Sequence, residues 1–320
     1  MKVLSLFDGI SCGLVALHKA EIPIDNYYAC EVNPYAIKVS NKNHPDITHI
    51  GDIRKISYSY GVLTTENGTY SVGDIDLIIG GSPCQSFTFA GKREGMTTTE
   101  NIEITTLKQY LKYKAEGFQF KGESYLFWEY MRLLYEVRPK YFLLENVKMS
   151  NHWREIIDKA LGIKSIMIDS ALFSPQRRKR LYWTNIPMKK IEKVNTLTLK
   201  SVVREEDNLK YHLSEKHHNA FLKSYNWKPN FLWEKSKPLL ASYYKQPPHC
   251  PYIPCKYSES GYRMLSPVEC ERLQTLPDDY TEGISKTQRY KVIGNAWTVD
   301  VIVFLLSGLK KHNKSAKIKH

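Results

Sequence analysis

The stretch DIDLIIGGSPCQSFTFAG, residues 74–91, constrains the fold of this chain more than any other. Residues 75–79 form a short apolar run that is typical of a buried strand in a parallel sheet, and two glycines end that strand. The residues SPCQ then fall in a loop at the carboxyl end of the strand, where open α/β sheets bind their ligands. Cys84 is therefore a candidate nucleophile, although a single cysteine near a strand end is more often an inert buried residue.

Composition adds weaker constraints on size, compartment and partner. The 320 residues are 42% hydrophobic, which is enough for one large core or for a large and a small one. The chain has 46 Lys and Arg against 33 Asp and Glu, and its net charge of +13 favours a polyanionic partner. Six scattered cysteines and the lack of a signal peptide indicate a reducing compartment, which we expect to be the bacterial cytoplasm or nucleoid. The longest apolar run, residues 299–306, is too short to span a bilayer.

Three acidic residues near the start of the chain follow predicted strands. Residues 2–7 predict a strand that leads through a glycine turn into a helix, and Asp8 lies in that turn. A second strand ends at Glu31, where a carboxylate can accept hydrogen bonds from both hydroxyls of a ribose, and a third is followed by Asp52, which can accept from an adenine amino group. The pattern indicates a nucleoside cofactor. The turn lacks GxGxxG, which argues against a pyrophosphate and makes a nicotinamide oxidoreductase the last of the alternatives.

A second rim carboxylate is predicted beside the cysteine. Residues 141–144 predict a buried strand with Glu145 at its carboxyl end, so Cys84 and Glu145 are expected on neighbouring strands. The cationic sequence QRRKR, residues 176–180, precedes a further strand. A thiolate that adds to C6 of cytosine makes C5 nucleophilic, nearby cations lower the pKa of a thiol, and a protonated glutamate can hydrogen-bond the cytosine edge. The pair therefore suits chemistry at a cytosine.

The rest of the chain predicts a second, smaller domain. Residues 187–287 are aromatic-rich and broken by prolines, which favours a small β-rich domain, whereas residues 1–186 and 288–320 are assigned to the large α/β domain. The polar stretch 92–121 has no clear period and predicts either a lid or a plain surface insertion. No metal site is expected, because the sequence HCPYIPC lacks a second pair of ligands.

Six motifs in order resemble those of the cytosine-5 DNA methyltransferases of bacterial or phage type, with some choices like the animal de novo branch. They are LFDGISCG, SPCQ, ENV, QRRKR, RMLSPVECERLQTLP and RYKVIGNAW. The resemblance implies an α/β fold with a doubly wound, mostly parallel seven-stranded sheet, one strand reversed, and a smaller target-recognition domain across a DNA cleft. It also implies S-adenosylmethionine as cofactor and double-stranded DNA as partner. A cytosine would be flipped out of the duplex, Cys84 would add to C6, and the methyl group would be transferred to C5.

The resemblance also implies roles for individual residues. The implied catalytic residues are Cys84, Glu145, Arg178 and Arg180. The implied cofactor-binding residues are Phe7, Asp8, Gly9, Glu31, Val32, Asp52, Ile53, Pro83, Asn295, Ala296 and Trp297. The candidate DNA-binding residues are Gln85, Ser86, Gln176, Arg178, Arg263, Tyr243, Tyr244 and Lys245.

Two alternatives within the family stay open from the sequence. One is a tRNA cytosine-5 methyltransferase, although the chain lacks the CFT tripeptide associated with that branch; the other is a catalytically silent DNA-binding relative, which the intact Cys84 and Glu145 argue against. We expect a monomer that acts separately from any cognate restriction endonuclease. The segment 85–91 is expected to move and close over the flipped cytosine.

Overall fold

The computed structural model describes residues 1–87, 95–191, 196–204, 209–224 and 228–310. The strands are β1 (Lys2–Leu6), β2 (Asn26–Cys30), β3 (Thr48–His49), β4 (Ser57–Ser59), β5 (Val62–Thr65), β6 (Gly68–Ser71), β7 (Leu77–Gly81), β8 (Tyr141–Val147), β9 (Ile166–Asp169), β10 (Lys179–Thr184), β11 (Tyr252–Pro254) and β12 (Tyr262–Met264). The α-helices are α1 (Cys12–Lys19), α2 (Pro34–Asn43), α3 (Leu107–Ala115), α4 (Phe127–Val137), α5 (Asn151–Leu161), α6 (Glu215–Leu222), α7 (Pro267–Leu273), α8 (Lys286–Asn295) and α9 (Val299–Leu306). No helix in these ranges is long and apolar enough to cross a membrane.

A seven-stranded sheet in the order β3-β2-β1-β7-β8-β10-β9 forms the centre of the molecule. Its neighbouring strands run parallel except at β10, which is antiparallel to both β8 and β9. This arrangement confirms the predicted mostly parallel sheet with one reversed strand. Strands β7 and β8 are adjacent, and Gly81 lies opposite Glu145 in their register, so the two neighbouring rim positions expected from the sequence are brought together.

Helices cover both faces of the sheet, and this explains why its central strands are apolar throughout. Residues of α1 and α9, such as Leu17 and Ile302, pack against one face. Residues of α4 and α5, such as Trp128 and Ile157, pack against the other. A strand with both faces covered has no solvent-facing side chains, so β1 and β7 read as continuous hydrophobic runs rather than as an alternating pattern.

Two regions without a predicted period contain regular structure. Strands β4, β5 and β6 form an antiparallel three-stranded sheet between residues 57 and 71. Helix α3 lies within the stretch predicted to be an irregular insertion, and its Tyr110 and Lys114 bind the buried carboxylate of Glu129 on α4. The described part of that insertion is therefore anchored to the core by a charged and hydrogen-bonded contact. Residues 88–94, which include most of the segment expected to close over the base, lie outside the described residues.

The prediction of a β-rich small domain is wrong for the described part of residues 187–287. That part contains a single hairpin of two short strands, β11 and β12, together with α6, α7 and several one-turn helices. Its buried side chains, among them Leu213 and Tyr252, belong to the same hydrophobic cluster as α1 and α9. The apolar residues of this region pack into that cluster mostly from irregular segments rather than from strands. The domain boundaries stay a prediction.

Candidate active site

Cys84 lies three residues beyond the end of β7, in the loop that leaves the rim of the sheet. All six cysteines are free, and Cys84 is the one that is not buried. Burial of its sulfur and the neighbouring Glu145 carboxylate raise the pKa of Cys84, whereas the guanidinium groups of Arg180 and Arg178 oppose that rise. Since the thiolate is the nucleophilic form, these cations favour the reactive state.

The carboxylate of Glu145 is held on both oxygens. Its Oε1 pairs with Arg180 Nε at 3.0 Å, and its Oε2 accepts a hydrogen bond from Trp297 Nε1 at 3.0 Å. Gly81 lies beside this arrangement, because a Cβ atom there would be 3.0 Å from both Glu145 Oε2 and Trp297 Nε1. Sequence reasoning placed Trp297 at the cofactor and gave no signal for this bond.

Arg178 is a buried structural residue in this fold. Its guanidinium donates to the carbonyl oxygen of Leu239 at 2.8 Å and to those of Gly294 and Ala296 at 3.0 and 3.2 Å. Burial and the nearby Arg180 lower the pKa of Arg178 to about 9. Its side chain is only 5% exposed and acts electrostatically on Cys84, and its contact with DNA stays a prediction.

Four further candidate DNA contacts are also buried, and their side chains pack or bind within the protein. They are Ser86, Gln176, Tyr243 and Arg263. Gln176 binds the backbone of residues 239 and 273, and Arg263 forms a two-pronged ion pair with Glu269 at 2.8 Å. Tyr243 donates to a carbonyl at residue 251 and accepts from the backbone amide of residue 265. These four side chains are therefore bound within the protein in this structure, and their contact with DNA stays a prediction.

The other candidate DNA contacts lie at the surface. Gln85 and Lys245 are exposed, and Tyr244 is half-buried. The ammonium groups of Lys245 and Lys291 lie 5.8 and 5.2 Å from the centre of the Tyr244 ring. These positions are compatible with DNA contact, which stays a prediction for them.

An open cavity of about 470 Å³ is lined by Arg180, whose guanidinium pairs with Glu145. It is lined by Asp169, Ala171, Arg177, Lys179, Arg180 and Pro238. Backbone hydrogen bonds join the segment before β10 to residue 236, with Arg177 N donating to Ser236 O at 2.9 Å. The cationic motif and the segment of residues 231–238 therefore form one surface beside Glu145.

An exposed aromatic pair lies on that same segment. The rings of Phe231 and Trp233 stack at 4.8 Å with an interplanar angle of 10°, and these side chains are 44% and 71% exposed. Sequence reasoning overlooked them in favour of Tyr243 and Tyr244. The signal was available in the sequence KPNFLWEKSK, which interleaves aromatic and basic residues.

At the cofactor edge, Glu31 fastens the β1–α1 turn to the end of β2. Its Oε2 accepts from Gly9 N at 2.7 Å, and its Oε1 accepts from Val32 N and Asn33 N at 2.8 Å. Each carboxylate oxygen can accept about two hydrogen bonds, so one position remains on Oε2 for a ligand hydroxyl. Val32 is 64% exposed beside it and offers an apolar surface.

Asp8 turns away from that edge into the protein. Its carboxylate accepts hydrogen bonds from the hydroxyl groups of Ser5, Ser11 and Tyr27 at 2.5–2.6 Å. Burial raises the pKa of Asp8 to about 6, and the three hydroxyl donors oppose that rise. The Asp8 side chain therefore stabilises the turn from inside the protein, and its role in binding the cofactor stays a prediction.

The remaining cofactor candidates occupy varied environments. The carboxylate of Asp52 accepts from the backbone amide and guanidinium of Arg54, and Ile53 is buried. Phe7 has φ of 58°, a left-handed conformation that a bulky side chain rarely adopts and that is often found at ligand sites. Pro83 is half-buried, Asn295 is exposed, and Ala296 is buried.

The turn after β1 is consistent with a nucleoside ligand. Gly9 also has a positive φ, of 60°, and a Cβ atom built there would meet nothing within 4 Å. This open space lies next to the free acceptor position of Glu31 and the exposed side chain of Val32. A ligand with sugar hydroxyls and an apolar ring fits these groups.

A doubly wound sheet with a partly exposed cysteine and a fixed carboxylate at one rim, beside a glycine turn, is typical of an α/β enzyme. The chain belongs to the C-5 cytosine-specific DNA methylase family, whose model matches residues 1–311. It is accordingly a DNA (cytosine-5-)-methyltransferase. Membership implies S-adenosylmethionine as the methyl donor and DNA as the substrate.

Individual relatives agree with this assignment. The chain is 27% identical to a Type II methyltransferase of Lactococcus lactis subsp. cremoris, over 94% of this chain and 76% of the relative. It is 28% identical to a Type II methyltransferase of Bacillus subtilis, over 90% of this chain and 68% of the relative. Its fold is similar to that of the S. pombe Dnmt2 methyltransferase, with a TM-score of 0.70 at 18% identity, covering 98% of this chain and 99% of that one.

Proposed function

We propose that Cys84 adds to C6 of a cytosine extruded from duplex DNA and that Glu145 holds this base. The observation that carries the proposal is the Glu145 carboxylate, fixed on both oxygens by Arg180 and Trp297. It lies next to a strand whose loop carries the one cysteine that is not buried. Attack at C6 requires a nucleophile such as a cysteine, and recognition of the amino edge requires an oriented acceptor such as a carboxylate.

The chemistry follows from the low nucleophilicity of cytosine C5. When the Cys84 thiolate forms a bond to C6, the π-electron pair of the C5–C6 bond moves to C5, which can then attack an electrophile. S-adenosylmethionine, when bound, supplies an electrophilic methyl group. Loss of the C5 proton and departure of the Cys84 sulfur then restore the C5–C6 double bond. Arg180 assists by favouring the thiolate, and Glu145 accepts a hydrogen bond from the exocyclic amino group.

The methyl donor is proposed to bind at the turn after β1. Glu31 has the acceptor position for a ribose hydroxyl, Val32 has an exposed apolar side chain for the adenine, and the backbone around Gly9 leaves room for the ligand. The Asp52 carboxylate is within reach of this edge, but Arg54 already pairs with it, so an adenine amino group would share that carboxylate with the guanidinium.

DNA is proposed to lie over the cavity beside Arg180. Extrusion of a paired base costs a few kcal/mol, so the protein has to hold the remaining duplex firmly. The exposed cations Arg177 and Lys179 suit phosphates, and the stacked pair Phe231 and Trp233 suits bases or the gap that the base leaves. Residues 187–287 would supply target recognition. A separately acting restriction endonuclease belongs to the same proposal, since the relatives above are Type II methyltransferases.

A test of the proposed nucleophile compares Cys84→Ser with Cys255→Ser, a change at a buried cysteine of the smaller region. Each protein is expressed in a host that lacks cytosine methylation, and the host DNA is sequenced after bisulfite treatment. We expect methylated cytosines with wild type and Cys255→Ser and none with Cys84→Ser. Wild type should also form a covalent complex with 5-fluorocytosine DNA. Methyl transfer to tRNA but not to DNA, or activity retained by Cys84→Ser, would contradict the proposal.

A further inference from the structure

The Glu145 carboxylate is bound by two donors from distant parts of the chain. Arg180 belongs to β10, and Trp297 follows α8. The terminal torsion of a glutamate side chain is soft, so a carboxylate held at one oxygen only can still rotate. With one donor at each oxygen, its plane is set. Two of about four acceptor positions then remain open, one on each oxygen, for the amino edge of a base.

Side-chain hydrogen bonds hold the backbone on either side of Trp297. Gln274 Nε2 donates to the carbonyl oxygens of Ile293 and Ala296 at 3.0 and 3.3 Å. Arg178 binds this same turn from the other side, through the carbonyl oxygen of Ala296 at 3.2 Å. Thr298, the next residue, donates its hydroxyl to Gln274 Oε1 at 2.8 Å. The backbone on both sides of the indole is therefore held by buried polar groups.

The strand beside the carboxylate is shaped to allow this bond. Gly81 lies opposite Glu145 in the register of β7 and β8. A Cβ atom at this position would lie 3.0 Å from both Glu145 Oε2 and Trp297 Nε1, so the indole and the carboxylate would have to shift by a few tenths of an ångström to admit a larger residue. Gly81 thus provides independent evidence that the contact between these side chains is built into the site.

We propose that Trp297 is a positioning residue that fixes the Glu145 carboxylate for recognition of the flipped cytosine. The inference rests on the proposed function of Glu145. The indole contributes a directional, uncharged donor, whereas Arg180 contributes a charge that also acts on Cys84. Arg180 therefore acts on both Cys84 and Glu145, whereas Trp297 acts only through the orientation of the Glu145 carboxylate.

Trp297→Phe removes the N–H donor and keeps an aromatic ring. The matched control is Trp183→Phe: the Trp183 indole donates to Asp158 Oδ1 at 2.6 Å, and its ring packs in the cluster on the opposite face of the sheet. We expect kcat to fall roughly 10- to 100-fold in Trp297→Phe, the size of a lost hydrogen bond to a charged group. The KM for S-adenosylmethionine should stay within about twofold of wild type. Gly81→Ala should reproduce the loss of kcat.

A binding measurement separates positioning from a general structural effect. Duplexes carrying either cytosine or an abasic site at the mapped target position are titrated with each protein. The preference for cytosine is defined as the ratio of the affinity for the cytosine duplex to that for the abasic duplex, because extrusion of the paired base lowers this ratio in every protein alike. Trp297→Phe should show a preference about tenfold lower than that of wild type and Trp183→Phe, while binding abasic DNA as wild type does.

The outcomes distinguish this inference from the proposed function. If wild type transfers no methyl group to DNA, the proposed function fails. If wild type is active and Trp297→Phe keeps its kcat and its preference for cytosine, the positioning role is overturned. A raised KM for S-adenosylmethionine with unchanged preference for cytosine would overturn it as well.

Discussion

Every carboxylate that the sequence placed at the rim of the sheet is already bound by donors of this chain. Hydroxyl groups bind Asp8, backbone amides bind Glu31, Arg54 binds Asp52, and Arg180 with Trp297 binds Glu145. A carboxylate with fixed partners loses little freedom when a ligand arrives, which favours binding. The residue types were predictable from their spacing, but their partners were not.

Asp8 provides a residue-scale prediction about stability and pH. Its pKa in the folded protein is raised to about 6, so between its unfolded value of 3.8 and about 6 the folded state binds a proton that the unfolded state releases. Unfolding free energy therefore falls as pH rises through that window. Relative to Asp8→Asn, which cannot titrate, wild type should lose about 2 kcal/mol of unfolding free energy between pH 4 and pH 6.5.

The measurement is urea unfolding of both proteins at several pH values, followed by circular dichroism. The control variant is Asp25→Asn. Hydrogen bonding to the N-terminal ammonium lowers the pKa of Asp25, so the contribution of Asp25 to the unfolding free energy changes with pH in the opposite direction. A constant difference between wild type and Asp8→Asn across this pH range would contradict the prediction.

At the scale of elements, α8 determines how closely the C-terminal part of the chain approaches the active site. Its Gly294 packs against the backbone of Leu240 and Ala241, and a Cβ atom at this position would overlap that backbone. In α1, a Cβ atom on Gly13 would instead meet the end of the Ile79 side chain and lie 3.0 Å from the Tyr27 hydroxyl oxygen. Backbone cannot move aside, whereas the end of a side chain can.

Alanine substitutions at these two glycines should therefore differ in cost. Gly294→Ala is expected to lower the unfolding free energy by roughly 3 kcal/mol and to reduce methyl transfer, because the turn that carries Trp297 would shift. Gly13→Ala should cost less than about half of that, since the end of the Ile79 side chain can move aside. Chemical unfolding and initial rates measure both effects. Equal costs for the two variants would show that the contact with residues 240–241 is not tight.

At the scale of the whole molecule, one hydrophobic cluster joins the α1 and α9 face of the sheet to the region after β10. Buried side chains of the region after β10 are therefore connected through this cluster to the sheet that carries Glu145, while the division into two domains stays a prediction. The chain carries a net charge of +13, which favours association with DNA.

Salt dependence tests where DNA lies on this surface. Lys179 is exposed and lines the cavity beside Arg180, whereas Lys38 is exposed on α2, which leads to β3 at the opposite edge of the sheet. Lys179→Ala should weaken DNA binding at all sequences and lower the slope of log K against log salt by about 0.9, the value for one phosphate contact. Lys38→Ala should leave the slope unchanged. Fluorescence anisotropy at several salt concentrations measures this, and equal slopes for both variants would place the DNA elsewhere.

The motif order, the strand ends and the residue types of the site could be read from the sequence, since buried parallel strands and glycine turns are encoded by adjacent residues. Helix α3 and the meander of β4, β5 and β6 were missed because their short, polar segments carry no clear period. The β-rich small domain was wrong because apolar, proline-broken segments pack in the same way whether or not they form strands.

By itself, the sequence determined the mostly parallel α/β sheet and the placement of Cys84 and Glu145 at the carboxyl ends of neighbouring strands. Tertiary structure alone decided that Arg178 and Tyr243 are buried supports. It also decided that Trp297 binds Glu145. The physical reason is distance along the chain, because the hydrogen bond from Trp297 to Glu145 joins residues 152 positions apart. A local sequence pattern does not predict which distant side chains the fold brings within 3.0 Å of each other.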